Sequence, residues 1–538
     1  MQVSFSLRTA VCLVTLLLCS GRLMADDAFA NATVISQEQL PYFDFLSDTG
    51  TAEPGEPAHA GSPAMASLWL RWTAAETQPC RFEVLFGSGT ARLAVYTGNI
   101  LTSLTPVAQG TGSIAFLANA NTTYHLVVDS PGSDLIALTP FPPGGADNQS
   151  DAQIISGPLP LHVSGNNILA TVAKDDEDWL PFYPPVATVW WSWTSDTNGL
   201  IRMDARRSVI DARLTLYELS SDGPLVRVAV GVDIAVFEAI KGNKYLICVD
   251  STEGTGKIEF VLQPVPPDPP SNDEAGKARD LGNASLICDG EWIHHATAEA
   301  GVPFENPGMF GLPGDRTLWW KWTCPASGTY RISQLGSDRA SDILIYTGTP
   351  ATGNVAATSN SPEGTLLNAT SGTLYWIQIK TFPPHAVRTE INLHPATHEP
   401  GYFQTLIDRG HFALEGPNRH PTADPDGDGF PNEIEIACGS NLELSDAQHP
   451  GLPKLLPHLG GWKLQWQRRT TYLDDGPGLP ILLRGKTSTS LTGPWTQPTE
   501  SNGDTSGDTS FTRFILLPGP TRGFARLELY NPNWLLAP

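Results

Sequence analysis

The densest chemistry in this 538-residue sequence sits in one short run, Asp424-Pro425-Asp426-Gly427-Asp428-Gly429-Phe430-Pro431-Asn432-Glu433-Ile434-Glu435. Carboxylates in the first, third and fifth places (Asp424, Asp426, Asp428) can converge on one hard cation, and Gly429 in the sixth supplies the sharp turn. Phe430 can offer its carbonyl, Asn432 occupies the ninth place, and Glu435 in the twelfth can close the sphere bidentately. That is the full spacing of a calcium loop, so Ca2+ is the expected ion; the competing reading is a solvated acidic turn. Pro431 stands in the eighth place, where an aliphatic residue is usual, which counts against pairing with a second loop. Outside a cell calcium is plentiful, so the expected role is structural and not sensory.

Other residues invite weaker readings. Trp69, Trp190 and Trp319 fall on what should be the outer face of a sheet, where a flat indole suits a pyranose ring; against this, tryptophan is on average largely buried, so a loop or an opening segment can cover it. Glu53, Glu56 and His59 form one small acid and imidazole group, and His294, His295 and Glu299 another. Neither has the His-Glu-x-x-His spacing of a helical metal site, and ordinary loop polarity explains both. Asp175–Asp178 reads as a solvated acidic loop. The sequence has no Gly-x-Ser-x-Gly elbow, no phosphate-cradling glycine loop and no Cys/His arrangement with local context. A carboxylate-pair glycosidase needs no signature, but its domain would have to interrupt the repeat described next.

The element that positions these residues is a tryptophan-rich strand used three times: Ser-Leu-Trp-Leu-Arg-Trp-Thr at 67–73, Thr-Val-Trp-Trp-Ser-Trp-Thr at 188–194 and Thr-Leu-Trp-Trp-Lys-Trp-Thr at 317–323. An arginine and a tyrosine follow at fixed distances: Trp72, Arg81, Tyr96; Trp193, Arg202, Tyr217; Trp322, Arg331, Tyr346. The Trp-to-Tyr interval is 24 in every copy, which implies one backbone path repeated. Alternation puts Leu68, Leu70 and Trp72, with Val189, Trp191 and Trp193 and with Leu318, Trp320 and Trp322, toward a core between sheets. Each copy begins with an Asx-rich opening of small residues that should form a capped turn, and ends on a strand at Tyr124–Asp129, Tyr245–Asp250 or Tyr375–Lys380.

These short β-branched and aromatic runs, bounded by Gly, Asn, Ser and Pro, predict an all-β chain: three tandem β-sandwich, jelly-roll-like repeats at 26–140, 147–264 and 272–394. Proline-rich joins at Phe141–Gly145 and Pro264–Pro270 should hold the repeats at semi-fixed distances. A connector at 400–450, with a short helix expected over Tyr402–Leu414, carries the acidic loop, and a small C-terminal β domain follows at 455–538. Ser501–Ser510 reads as an exposed loop.

Residues 1–25 read as a secretory signal, with Arg8, the apolar run Ala10–Cys19 and a cut after Ala25. That run is too short to anchor the chain permanently, and no later stretch approaches the ~18 apolar residues of a membrane span. The leader holds two of the 33 basic residues and no acidic one, leaving 31 against 56, a balance of −25. Such a surface repels nucleic acid and anionic headgroups and attracts divalent cations. Of the five remaining cysteines, Cys80, Cys248, Cys288, Cys324 and Cys438, only Cys288 and Cys324 share a repeat. Buried thiols, with at most one bridge, are expected.

The three units, with Ala52-Glu53-Pro54-Gly55-Glu56-Pro57 before the first Trp strand, Leu-Ala-Val-Tyr-Thr-Gly at 93–98, Ile-Leu-Ile-Tyr-Thr-Gly at 343–348 and the Tyr-x-x-x-x-Asp ending, resemble bacterial pre-peptidase C-terminal-type β-sandwich domains. The second copy departs from the pattern, with Ala170–Ala173 where the glutamate motif would stand and Glu218 after its tyrosine. The acidic loop is similar to thrombospondin type 3 and dockerin calcium loops, and the tail from 402 to the modules that end large exported proteins of planctomycete and verrucomicrobial type. The resemblance implies accessory, non-catalytic domains, usually appended to hydrolases. The expectation is a secreted or cell-surface binding or adhesion protein that is not an enzyme, meeting polysaccharide or cell-envelope components. The rivals are an extracellular hydrolase with a hidden carboxylate pair and a purely structural spacer.

Overall fold

The computed structural model describes residues 27–396 apart from 47–49, 87–89, 173–185, 220–224, 252–253, 300–314, 351–352 and 382–386. Beyond these it describes 414–432, 435 and 442, and the backbone of strands between 454 and 530. The leader, Asp175–Asp178, Cys438 and, except for Leu414, the helix expected over Tyr402–Leu414 lie outside the described residues. The chain is all-β and divides into two compact units, Met1–Pro264 and Val265–Pro538.

Three β-sandwiches share one topology. In the first, Thr33–Ile35 runs parallel to the tryptophan strand Ser67–Thr73, which pairs antiparallel with Thr123–Asp129, followed in the sheet by Arg92–Thr97 and the edge strand Thr105–Thr111. The second repeats this order with Gln153–Ile155, Val189–Thr194, Lys244–Ser251, Ala212–Leu219 and Val226–Val232. The third does so with Arg279–Asp280, Arg316–Thr323, Leu374–Thr381, Asp342–Thr347 and Asn354–Ser359. Opposite each five-stranded sheet lies a four-stranded one, ordered Tyr42–Leu46, Asp134–Pro140, Gln78–Phe86, Ser113–Ala118 in the first sandwich and equivalently in the others. The glycine-, asparagine- and proline-bounded runs thus become the strands of these sheets.

Period-2 alternation places the inner residues as expected. Leu68, Leu70 and Trp72 enter the first core with Phe82, Phe116 and Tyr124; Val189, Trp191 and Trp193 enter the second, and Leu318, Trp320 and Trp322 the third. The repeated tyrosine faces the other way, so Tyr96, Tyr217 and Tyr346 pack outside the core with the outer tryptophan. Each Asx-rich opening forms one turn of 3-10 helix, at Phe29–Asn31, Gln149–Asp151 and Ala275–Lys277.

Within the first unit, the proline-rich join is laid down on the second sandwich. Asn166 donates through Nδ2 to the Pro142 carbonyl (2.8 Å) and through its amide to that of Gly144 (3.2 Å), while Ala146 and Trp190 exchange backbone hydrogen bonds (3.0 and 2.8 Å). Gly144 is at φ 151° with no space for a side chain, since a Cβ would meet the Ser164 carbonyl oxygen at 2.4 Å. Arg81 of the first sandwich donates to the carbonyl (2.6 Å) and hydroxyl (2.5 Å) of Thr255 in the second. The join is therefore a strut with defined partners, and its glycines are the residues that let it approach the sheet.

After the third sandwich, Gly416–Arg419 forms a 3-10 turn ahead of the acidic loop. The C-terminal strands Lys454–His458, Gly461–Arg469, Ser510–Leu516 and Ser501–Asn502 form one sheet, and Leu482–Ser488 pairs with Phe524–Tyr530. The stretch expected as a loop from Ser501 begins with a strand, because Ser501 and Asn502 add to Phe514 and Arg513. Cys80, Cys248, Cys288 and Cys324 are free and buried, so Cys288 and Cys324 form no bridge; burial pushes the Cys80 and Cys288 thiols up to about 12.

The two-sheet core sets a measurable cost. Trp191→Ala should destabilise the second sandwich by about 3–5 kcal/mol in equilibrium denaturation; a loss below about 1 kcal/mol would show that this indole is not a core residue.

Candidate functional site

The acidic loop is shaped by its own backbone amides. Asp424 accepts from the amides of Gly427 and Gly429 (both 3.0 Å), Asp426 through Oδ1 from Asp428 (3.2 Å), and Asp428 through Oδ1 from Phe430 (2.9 Å). Gly427 and Gly429 sit at φ 72° and 96°, the left-handed turns this wrapping needs. One ligand oxygen from each of Asp424, Asp426 and Asp428 lies within 4.8 Å of the other two. Asp426 Oδ2, Asp428 Oδ2 and Asn432 Oδ1 are buried without a hydrogen-bond partner. Burial, then repulsion from Asp428 and Asp424, pushes the Asp426 carboxyl above its ordinary range, a strain that a cation among the three would relieve.

Asn432 is wholly buried, held by its amide on the Ala423 carbonyl (2.8 Å) and by Nδ2 on those of Asn418 (2.7 Å) and His420 (2.9 Å). Phe430 contributes its amide to Asp428. Glu435 is also buried, yet it is not among the three grouped carboxylates. The residues that converge are thus the three aspartates, an all-oxygen donor set that fits a hard cation.

The outer tryptophans are not open faces. Trp69, Trp190 and Trp319 are 0%, 1% and 0% exposed, which corrects the expectation that they could stack on a sugar. Each packs against its repeat's tyrosine, with ring centroids at 6.1 Å to Tyr96, 5.9 Å to Tyr217 and 5.8 Å to Tyr346. The opening segment closes the other side: Phe29 and Ala32 on Trp69, Ala152 on Trp190, and Ala275 and Ala278 on Trp319.

An aspartate pins each opening segment in place. Asp27 accepts from the amide and hydroxyl of Thr51, Asp147 from those of Thr171 (2.5 and 3.1 Å), and Asp273 from those of Thr297 (2.6 and 2.8 Å). Every pair is 24 residues apart, a signal present in the sequence but invisible without knowing which threonine answers which aspartate. A second pin joins Glu53 to the Phe29 amide (2.7 Å) and Glu299 to that of Ala275 (2.8 Å); the second repeat has Ala173 in that place. The glutamate motif is thus a fastening.

The two acid and imidazole clusters resolve accordingly. Glu56, His59 and Tyr96 form a sealed chain, His59 Nε2 to Glu56 (2.9 Å) and Nδ1 to the Tyr96 hydroxyl (2.8 Å), with the Tyr96 hydroxyl 3.1 Å from the Ala58 carbonyl. Burial opposes ionisation of Glu56, but hydrogen bonds from His59, Ser67 and the Glu53 amide outweigh it and hold its carboxyl below the usual range. His294 meets Arg316 (3.2 Å), while Glu299 serves the opening segment, so that group does not converge.

Long-range ion pairs are the feature the sequence reading missed. Directly across neighbouring strands, Arg92 pairs with Asp129 (2.6 Å) and Arg213 with Asp250, whereas the third sandwich reverses the signs with Asp342 opposite Lys380 (3.6 Å). Asp129 and Asp250 also accept from the amides just before the tryptophan strand, at 65–66 and 186–187. In the second sandwich Asp204 is buried between Arg206 and Arg202; burial opposes its charge, and the two guanidiniums hold its carboxyl far below the usual range.

No family model and no curated protein matches the chain. Among solved structures it is similar to a 2-hydroxyethylphosphonate dioxygenase variant (9% identity, TM-score 0.12, 43% of this chain and 75% of that one) and to vicilin from Corylus avellana, hazelnut (9%, 0.11, 37% and 74%). At these TM-scores neither likeness bears on function. Among the described residues no helix is long and apolar enough to cross a membrane.

The Glu56 shift carries a pH signature. Its folded pKa is depressed, so the stability it adds is present above the unfolded value of about 4.3 and is lost as pH falls through the lower folded value. The melting-temperature gap between wild type and Glu56→Gln should therefore be full at pH 6 and shrink toward pH 3; a gap that widens on acidification contradicts this.

Proposed function

We propose that this protein is a non-catalytic binding or adhesion protein of the cell exterior, built from sandwich modules and a calcium-stabilised connector, that attaches to polysaccharide or other cell-envelope material. The observation that carries the reading is the use made of the chemistry-bearing residues. In all three sandwiches the aspartate that could serve a reaction centre fastens the opening segment, and the tryptophan and tyrosine that could form a sugar platform pack against each other beneath it. What remains for a partner is the polar, acidic exterior of the modules, whose balance of −25 after loss of the leader suits contacts bridged by divalent cations. The resemblance to pre-peptidase C-terminal-type domains points the same way, as does a leader of secretory composition.

Calcium is the ion proposed for the loop, with Asp424, Asp426 and Asp428 as carboxylate ligands, and Asn432 Oδ1 and the Phe430 carbonyl as neutral ones. Glu435, in the twelfth place, is the further carboxylate that the spacing assigns to the ion. Titration calorimetry should show one calcium per chain, with Asp426→Asn binding at least about tenfold more weakly as a charged ligand is lost; equal affinity in the two proteins removes Asp426 from the site. Sedimentation with insoluble polysaccharide and with envelope fragments should show saturable binding that chelator weakens. Turnover of a glycoside or peptide library by the purified chain would end the non-catalytic reading.

A further inference from the structure

A contiguous set of hydrogen bonds leads from the aspartate loop into the third sandwich. Asn432 faces two ways: Nδ2 is spent on the carbonyls of Asn418 and His420, and Oδ1, buried and without a protein partner, is an acceptor independent of the three aspartates. Between those two carbonyls in the chain stands Arg419, the largest fully buried side chain among the connector's described residues, at 1% exposed. Its Nη1 donates to the Leu335 carbonyl and lies 3.9 Å from Glu390. The guanidinium enters only because residue 336 is glycine, where a Cβ would fall 2.1 Å from Nη1.

Glu390, on the strand Arg388–Pro395, is the meeting point. It accepts from the Gly416 amide (2.9 Å) and from Arg388 Nε (2.9 Å), and Arg388 also reaches Glu415 (3.1 Å) while lying over the Trp292 ring at 5.3 Å. Glu415, Gly416 and Arg419 are thus seated together on two charged residues of one strand. Withdrawing Arg419 would leave Glu390 buried with one positive neighbour fewer and a cavity beside Gly336, so partial seating is unfavourable.

We propose that calcium in the loop and the seating of Arg419 in the third sandwich are thermodynamically coupled, so that the ion stabilises the sandwich as well as its own loop. The inference rests on the calcium reading above. A cation on Asn432 Oδ1 draws electron density through the amide, strengthens donation by Nδ2 and fixes the turn that carries Arg419. Linkage then works in both directions: whatever seats Arg419 tightens calcium, and calcium seats Arg419.

Hydrogen exchange of the full mature chain, with calcium and with chelator, needs no variant. Calcium should slow the amides of Gly328–Ser333 and Arg388–Pro395, and not only those of 416–432. In calorimetry Arg419→Ala, which touches no ligand, should weaken calcium about tenfold, within the span usual for coupled sites. If the wild type binds calcium while those strands exchange unchanged and Arg419→Ala keeps its affinity, the coupling is overturned and the site survives. If the wild type gives no calcium heat, the site and the coupling fall together. Should Arg419→Ala fail to fold, the wild-type exchange comparison decides alone.

Discussion

The structure depends on burying one tryptophan-rich strand from both sides. Its inner indoles fill the space between two sheets, and its outer indole is sealed by a segment that begins the same repeat. An indole buries on the order of 150–250 Å2, which at about 25 cal/mol per Å2 is an upper bound of about 4–6 kcal/mol for each. A strand with aromatic residues on both faces cannot tolerate a wet side, so the opening segment is obligatory. Its fastening by an aspartate to a threonine amide and hydroxyl recurs in all three sandwiches, and the acid–imidazole chain under Trp69 belongs to that same lid.

The charged groups follow a comparable logic. Arg92 with Asp129, and Arg213 with Asp250, tie two central strands across their register, and the third sandwich keeps the tie while exchanging the signs. The pair matters as a pair, since either order satisfies both partners while a single substitution strands a charge. Where a repeat must join something else, the charge is redirected. Arg81 leaves its sandwich to reach Thr255, whereas Arg202, at the same point of the repeat, pairs with Asp204 on its own strand. The third sandwich uses Arg388, Glu390 and the Leu335 carbonyl to receive Glu415, Gly416 and Arg419 of the connector. One scaffold thus hosts two different junctions by changing a few side chains at its rim.

Much of this was legible in the sequence. The fixed 24-residue interval showed a single path used three times, and alternation told which indoles face the core. The spacing of Asp424, Asp426 and Asp428 gave the convergent part of the loop. Alternation could not tell what covers the opposite side, because Phe29, Ala152 and Ala275 lie about forty residues upstream of the indoles they cover. That is why the sequence left Trp69, Trp190 and Trp319 between a sugar-facing surface and a covered one. The strand-to-strand ion pairs escaped for the same reason: an arginine and an aspartate 37 residues apart signify nothing until the register sets them opposite each other.

The claim beneath this account is that the outer indoles belong to the interior. It is tested most directly by 5-fluorotryptophan incorporation and fluorine NMR in light and heavy water, with resonances assigned by single Trp→Phe substitutions. The account predicts that Trp69, Trp190 and Trp319 show no solvent isotope shift, like the core residue Trp320, and do not move when soluble polysaccharide is added. A shift at any of the three equal to that of the free amino acid, or its displacement by a glycan, would contradict it.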